Sequence, residues 1–170
     1  NIPSYFNLLK NKKAGILTNQ SGLVSFDYGY SITDTLNRSQ QSGIKTATMH
    51  IVDYLVQNTK VDLVKIYAPE HGFRGTADAG ELIVDGKDTK TGLPIISLYG
   101  NNKKPSKEQL QGIDVMLFDL QDVGARFYTY ISTLHYIMEA CAENKITLIV
   151  LDRPNPNGSI VDGPVLEKEF

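Results

Sequence analysis

Short apolar runs alternate with amphipathic stretches along the chain, and this pattern predicts strands that alternate with helices. The apolar runs are nearly continuous and rich in β-branched residues, which is typical of strands buried on both faces of a parallel sheet. The five predicted strands are Lys13–Thr18, Leu63–Tyr67, Ile95–Tyr99, Ile113–Leu120 and Ile146–Leu151.

Helices are predicted between these strands because apolar positions recur there at helical spacing. The two longer segments are Thr46–Thr59, with the apolar stripe Ile51, Val52, Leu55 and Val56, and Tyr130–Asn144, with the stripe Ile131, Leu134, Met138 and Cys141. Pro105–Gln111 predicts a third, short helix with Pro105 near its first turn. Strands and helices in this alternation indicate an α/β fold with an open sheet.

Two polar stretches interrupt the alternation. Ser21–Gln40 contains two glycines and predicts a long loop before the first crossover helix. Phe73–Gly92 contains four glycines and predicts an excursion or a small hairpin. Val161–Phe170 shows no pattern of a closing helix, and we expect the chain to be part of a longer protein.

Length, composition and charge narrow the class of protein. The 170 residues suffice for one domain, and 41% apolar with 21% charged residues is ordinary for a soluble protein. The net charge of −2 offers no basic excess for a phosphate backbone, so we expect no nucleic-acid partner. No apolar run approaches the roughly 18 residues of a membrane helix. The single Cys141 cannot form an intrachain disulfide.

Polar side chains with candidate chemistry follow four of the predicted strands. Ligands of open α/β sheets bind beyond the carboxyl ends of the strands, so these side chains predict a site at one edge. They are Asn19 after the first strand, Glu70, His71 and Arg74 after the second, Asp119, Asp122, Arg126 and Tyr128 after the fourth, and Asp152, Arg153 and Asn155 after the fifth.

Each acidic candidate also has a structural interpretation. Glu70 is either a catalytic carboxylate or a residue of a tight loop, and His71 either shares a proton with a carboxylate or bonds to a backbone carbonyl. Asp119 and Asp122 are either paired carboxylates or include the cap of a helix that begins near Val123. His50 is interpreted as a packing or surface residue.

The cationic and aromatic candidates carry similar alternatives. Arg126 either forms an i, i+4 ion pair with Asp122 or binds a substrate carboxylate through its planar fork. Asp152 and Arg153 likewise either bind the substrate or form a salt bridge that fixes the following turn. Tyr128 and its neighbour Tyr130 present hydroxyls or flat rings to a sugar, or fill the core.

Several familiar signatures do not occur in this sequence. It has neither GxGxxG after the first strand nor GxxxxGK[ST], which argues against a nucleotide cradle. It has no HExxH, CxxC or GxSxG, so we expect no metal, no cofactor and no hydrolase serine. A site rich in carboxylates and arginines is compatible with carboxylate-led hydrolysis of a glycosidic bond, which needs an acid to protonate the leaving oxygen.

A series of motifs runs in order across nearly the whole chain. They are Asn19–Gly22, Pro69–Gly75 (PEHGFRG), Thr91–Gly100, Asp119–Tyr130 (DLQDVGARFYTY), Leu151–Asn155 (LDRPN) and Asp162–Pro164. In these motifs the chain resembles the exo-β-N-acetylmuramidase family of the NamZ type, long catalogued as a bacterial domain of unknown function. The stretch from Asp119 to Thr129 is specific enough to make a chance match implausible.

The resemblance implies a two-domain protein. Residues 1–170 would form a Rossmann-like N-terminal domain, with an open, mostly parallel sheet flanked by helices, and a smaller C-terminal domain would complete the cleft. The implied reaction is the release of non-reducing-end N-acetylmuramic acid from peptidoglycan fragments. The implied location is extracytoplasmic (secreted, periplasmic or lipid-anchored), and we expect any leader to lie upstream of Asn1.

The resemblance also implies that Glu70 is the catalytic glutamate. We expect Glu70 to act as general acid with His71 and Asp122 as its catalytic partners. Substrate binding is expected from Asn19, Arg74, Asp119, Arg126, Tyr128, Asp152, Arg153 and Asn155, with Arg126 and Arg153 as candidates for the lactyl carboxylate. The second catalytic group stays open between Asp119, Asp122 and the substrate's own acetamido oxygen.

Two other functions compete with this interpretation. One is a non-catalytic module that binds cell-wall sugars in the same cleft. The other is a metal-dependent hydrolase built on Glu70, His71 and Asp119.

Overall fold

A computed structural model of the chain describes residues 7–34, 39–57, 60–70, 72–74 and 85–169. Eight strands and three helices lie within these residues. In chain order they are β1 (Lys13–Thr18), β2 (Leu23–Asp34), β3 (Ser39–His50), α1 (Ile51–Gln57), β4 (Asp62–Ala68), β5 (Gly86–Lys87), β6 (Pro94–Ser97), α2 (Lys107–Leu110), β7 (Val115–Asp119), α3 (Tyr130–Glu143) and β8 (Thr147–Val150).

A six-stranded, mostly parallel sheet in the order β5-β6-β4-β1-β7-β8 forms the centre of the fold. The five strands predicted from the sequence are β1, β4, β6, β7 and β8, and all of them pair in parallel. Taken by their order along the chain, they are arranged third-second-first-fourth-fifth, which is the doubly wound order of Rossmann-type sheets. The predicted fold class is therefore confirmed. The short β5 adds an antiparallel edge within the stretch predicted as an excursion or hairpin.

The apolar core lies on both faces of this sheet because alternate side chains of each strand point to opposite sides. Ile16 of β1 packs in one cluster with Val52 and Leu55 of α1. Leu17, the next residue, packs in the other cluster with Ile137 of α3. Helices cover both faces, which explains why the strands read as continuous apolar runs.

The segment between β1 and α1 differs from the prediction. Residues predicted as a long loop and as the first turns of a helix form an antiparallel hairpin, in which Leu23 pairs with His50 and Asp34 with Ser39. Cross-strand bonds between polar side chains favour the hairpin, among them a 2.7 Å hydrogen bond from Thr46 Oγ1 to Asp27 Oδ1. The helix begins only at Ile51, where the apolar stripe starts.

Helix α3 has the predicted bounds to within one residue, but the face that it buries is different. Ile137, Ala140 and Cys141 are buried, whereas Ile131 is 64% and Met138 is 53% exposed. The predicted stripe was thus wrong at two positions, because the sheet contacts the face rotated toward Ile137. Among the described residues, no helix combines the length and apolarity needed to cross a bilayer.

Candidate active site

The polar residues gather where the sheet reverses its winding direction, between the carboxyl ends of β1 and β7. Thr18 ends β1 and Asp119 ends β7, and the two residues are register partners. Both are fully buried, and the Thr18 hydroxyl donates a 2.9 Å hydrogen bond to Asp119 Oδ2. Crevices at this reversal point are where doubly wound sheets bind ligands.

Asp119 is held by a second partner that arrives from the loop after β8. The Arg153 guanidinium pairs with Asp119 Oδ1 and also donates to the carbonyl of Ser21, 3.3 Å away. Burial raises the pKa of Asp119, although Arg153 and Thr18 both favour its charged form. Arg153 thus joins the loops after β1 and β8 to the end of β7, a structural role different from the fixing of the following turn that the sequence suggested as an alternative.

Gly22 is required by the closeness of this ion pair to the loop after β1. A Cβ at Gly22 would lie 2.3 Å from Thr18 Oγ1 and 2.6 Å from Asp119 Oδ2. Both atoms belong to buried side chains that are fixed by their own hydrogen bond. The glycine therefore lets the backbone cover the carboxylate of Asp119.

Asn19, immediately after β1, orients the neighbouring polar groups. Its Oδ1 accepts hydrogen bonds from the backbone N–H and the hydroxyl of Ser21, at 3.0 and 2.7 Å. These contacts fix the amide, so its Nδ2 faces and donates to the Tyr130 hydroxyl at 2.9 Å. The Tyr130 oxygen is then an acceptor for Asn19, and its own proton is free to be donated elsewhere.

His50 supports Asn19 from beneath. Its Nδ1 accepts from the backbone N–H of Val52 at 3.2 Å, which leaves the proton on Nε2 to be donated to the Asn19 carbonyl at 2.9 Å. The side chain is buried and packs edge-on against Phe73. His50 is therefore a packing residue, as predicted, with the further role of fixing the Asn19 backbone.

The loops after β7 and β8 are joined through Gly124 and Asn155. Gly124 has a φ of +69°, and a Cβ there would meet Asn155 Nδ2 at 2.4 Å. Asn155 Oδ1 accepts from the backbone N–H of Asn157, whose side chain donates to the Val123 carbonyl at 2.8 Å. Asn155 therefore contributes to the contact between the loops that follow β7 and β8.

Glu70 lies in a cleft of about 320 Å³ beside this edge. The cleft is walled by residues that follow β4 and β6 on one side and by the first turns of α3 on the other. Its described polar lining consists of Glu70, Tyr99, Lys103, Thr129, Ser132, Thr133 and Tyr136. These residues present one carboxylate, one ammonium group and several hydroxyls.

The Tyr99 phenol is the partner of the Glu70 carboxylate. The negative charge of Glu70 raises the pKa of Tyr99, assisted by partial desolvation and hydrogen bonding to Glu70. Burial raises the pKa of Tyr130, and the charge of Glu70 adds to that increase. Both tyrosines are therefore protonated donors at neutral pH, and Tyr99 lines the cleft with Glu70.

The remaining predicted site residues either do not line the cleft or fall outside the described residues. His71 lies outside the described residues. Asp122 and Asp152 are exposed, and Arg126 donates to the Pro164 carbonyl at 3.2 Å. Among the described ion pairs none joins Asp122 to Arg126, because residues 120–129 form a loop and the expected helix begins only at Tyr130. Tyr128 is half-exposed and packs edge-on against Tyr130.

The guanidinium of Arg74 is bound by neighbouring acidic side chains and is not open to a ligand. Its guanidinium binds Asp53 of α1 at 2.9 Å and Asp88 at 2.8 Å, and it lies 4.7 Å from the centre of the Phe73 ring. Hydrogen bonds from Arg74 hold the pKa of Asp88 well below its usual range despite burial. Burial alone would raise the pKa of Asp53, but Arg74 and Lys90 outweigh it and the pKa is lowered. This arrangement does not support the predicted substrate-binding role of Arg74.

We expect Thr91→Val to lower the free energy of unfolding by about 1.5 kcal/mol at pH 7, the lower end for a hydrogen bond to a charged group, because Thr91 is partly exposed. Thr91 Oγ1 donates to Asp88 at 2.6 Å. Because the folded pKa of Asp88 is strongly depressed, this stabilisation is complete above about pH 4 and is lost only as the pH falls through that depressed pKa. Urea denaturation of the full-length protein at pH 7 and at successively lower pH measures the size of the loss and the pH at which it disappears.

Thr48→Val is the matched control for this prediction. Thr48 bonds to Ser25 between two exposed hydroxyls of the hairpin, so its replacement should cost little and show no dependence on pH. Equal, pH-independent losses in the two variants would contradict the assigned role of Asp88.

Several cleft residues were not predicted from the sequence. Thr129, Ser132, Thr133 and Tyr136 share one face of α3, and their spacing of three, four and seven residues was visible as a polar stripe. Lys103 carried no motif signal.

Within the described residues no three His, Cys, Asp or Glu side chains converge as a metal site. Burial raises the pKa of the Cys141 thiol to about 11.

Comparison with known sequences identifies related proteins. The profile of the family described as exo-β-N-acetylmuramidase NamZ, N-terminal, matches residues 15–170. The peptidoglycan β-N-acetylmuramidase NamZ of Bacillus subtilis (strain 168) is 42% identical over 170 residues, which cover 99% of this chain and 36% of that protein. The chain thus spans about a third of the length of this relative.

Two solved structures share the fold. Both are crystal structures of DUF1343 family proteins from Bacteroides fragilis NCTC 9343. One is 38% identical with a TM-score of 0.73, and the other is 37% identical with a TM-score of 0.70. Each superposition covers 99% of this chain and 37% of the crystallised chain.

Proposed function

The chain belongs to the family of N-terminal domains of the exo-β-N-acetylmuramidase NamZ, and from this premise we propose that it is the Rossmann-like part of a glycosidase. The proposed reaction is hydrolysis of the β-glycosidic bond that links non-reducing-end N-acetylmuramic acid to a peptidoglycan fragment. The relative from Bacillus subtilis is described as a peptidoglycan β-N-acetylmuramidase.

The single observation that carries the proposal is the position of Glu70 in a cleft lined with hydroxyls. Glycoside hydrolysis requires a carboxylic acid beside the leaving oxygen, and hydroxyl side chains are suitable partners for a sugar ring. Glu70 is partly buried and shares the cleft with Ser132 and Thr133 of α3. We assign Glu70 as the general acid that protonates the leaving oxygen.

Tyr130 has a supporting role in this proposal. Asn19 donates to its oxygen, so the phenolic proton is directed away from Asn19. We propose that this phenol, whose pKa is raised in part by the charge of Glu70, donates either to the Glu70 carboxylate after it has given up its proton or to a substrate oxygen. His71, as the immediate neighbour of Glu70, remains a candidate partner.

The second catalytic group is proposed to be a carboxylate other than Asp119 or the substrate's acetamido oxygen. Asp119 is fully buried and paired with Arg153, so it has no free face for a water molecule or a sugar. Asp122 is exposed and remains a candidate. An acetamido oxygen that attacks the anomeric carbon would need only one protein acid, which fits a cleft to which the described residues contribute one carboxylate, that of Glu70.

Two further properties belong to the proposal. We propose that a C-terminal domain of the same protein completes the cleft, because the chain spans only 36% of its relative. We also propose an extracytoplasmic location, where peptidoglycan is found.

The test is hydrolysis of para-nitrophenyl β-N-acetylmuramide beside the matching N-acetylglucosaminide by the full-length protein. We expect nitrophenol release from the muramide and little from the glucosaminide, with no loss of rate after chelation. Binding without release by well-folded protein would instead favour the sugar-binding module. Loss of activity that is restored by adding a divalent metal would favour the metal-dependent hydrolase.

A further inference from the structure

Among the described residues, Lys103 supplies the positive charge in the lining of the cleft that contains Glu70. It lies in the segment between β6 and α2, and its side chain forms part of the cleft wall together with Tyr99. Within the described part of the chain, no carboxylate forms an ion pair with Lys103. An ammonium group in such a position is available to an anionic ligand.

The segment that carries Lys103 is anchored on both sides. Asn102 Nδ2 donates to the Ser97 carbonyl at 2.6 Å. Lys104 pairs with Glu143 at 2.9 Å and with Glu139 at 3.1 Å, both on α3. These contacts fix the backbone around Lys103 at the cleft wall, so its exposed side chain starts from a defined position within reach of a ligand in the cleft.

The two arginines predicted to bind a substrate carboxylate are engaged elsewhere. Arg153 is bound to the buried Asp119 and to the Ser21 carbonyl, and withdrawing it would leave a buried charge unpaired. Arg126 donates to the Pro164 carbonyl, and neither arginine lines the cleft. Lys103 is the cation that shares the cleft with the proposed acid.

We propose that Lys103 is the specificity residue that recognises the carboxylate of an acidic sugar in this cleft. The inference deepens the proposed function and rests on it, because it assigns to Lys103 the lactyl carboxylate that distinguishes N-acetylmuramic acid from N-acetylglucosamine. The hydroxyls of Thr129, Ser132 and Thr133 are uncharged and suit either sugar. Preference for the acidic sugar therefore depends on Lys103.

Calorimetric binding of free N-acetylmuramic acid and free N-acetylglucosamine to the full-length protein tests this assignment without relying on turnover. We expect Lys103→Met to weaken binding of N-acetylmuramic acid by about 10- to 100-fold, which is the range for loss of a hydrogen bond to a charged group. Binding of N-acetylglucosamine should change by less than about twofold. Lys103→Arg should retain most of the preference because it keeps the charge.

Lys107→Met is the matched control, since Lys107 is an exposed lysine on α2 outside this cleft. It should bind both sugars as the wild type does. An unchanged preference in Lys103→Met, or equal losses for both sugars, would overturn the assignment of Lys103. Failure of the proposed function is a separate result, because it would appear as absence of hydrolysis in a protein that still binds the acidic sugar through Lys103.

Discussion

Replacing Arg153 by methionine is expected to lower the free energy of unfolding by about 3–5 kcal/mol at neutral pH, the range measured when one partner of a buried ion pair is removed. Asp119 is fully buried, and in the variant only the Thr18 hydroxyl would remain to satisfy its charge. The cost falls on Asp119 because Arg153, about a quarter exposed, is the partner that water could solvate.

The pH dependence of this loss identifies its cause. Burial already raises the pKa of Asp119 in the intact protein, and without Arg153 the pKa should rise further. The folded state of the variant then binds a proton more readily than the unfolded state does. The penalty is present above the raised pKa and is relieved as the pH falls through it.

Urea denaturation of the full-length protein at pH 7.5 and pH 5 measures this behaviour, with Asp119→Asn/Arg153→Met as the control. The double variant carries no buried charge, so it should be more stable than Arg153→Met at pH 7.5 and should lose the pH dependence. A loss of less than about 1 kcal/mol in Arg153→Met, the range of a surface pair, would show that the pair is not effectively buried.

The central sheet was predictable because burial on both faces leaves a direct pattern in the sequence. The strand Val115–Asp119 is buried at every position, and its apolar run was visible without any structure. The hairpin was missed although β2 shows the alternation of apolar and polar residues that is typical of a strand, because its polar residues and glycines were interpreted as a loop. Its partner β3 gives a weaker signal, since it begins with the polar run Ser39–Gly43. The stripe that begins at Ile51 was correctly interpreted as helical but was extended too far toward the N-terminus.

The sequence predicted which residues gather at this edge of the sheet, but not which contacts each of them makes. Asp119, Arg153 and Asn19 follow strands, and the winding of the sheet brings them together as expected. Sequence spacing could not show that Arg153 neutralises Asp119 or that Arg74 binds Asp53, because those partners are distant along the chain. Lys103 went unrecognised for the same reason, since it lines the same cleft as Glu70 only because segments that are distant along the chain fold together.

Glu70→Gln is expected to reduce hydrolysis by about 10²- to 10⁴-fold, the typical contribution of a general acid. Glutamine keeps the shape and the hydrogen-bonding capacity of the side chain but cannot deliver a proton to the leaving oxygen. We therefore expect the loss in kcat, with binding of N-acetylmuramic acid retained to within a few fold. Glu167→Gln is the matched control, because Glu167 is an exposed glutamate near the C-terminus of the chain that does not line this cleft.

The dependence on the leaving group separates the acid role from a nucleophilic role of Glu70. A para-nitrophenolate leaves without protonation, whereas a sugar alkoxide needs the proton that the acid supplies. If Glu70 is the general acid, the variant should lose much more activity on a muramyl disaccharide than on para-nitrophenyl β-N-acetylmuramide. Equal losses on the two substrates would indicate that Glu70 acts at the anomeric carbon, and unchanged rates on both would remove it from the reaction.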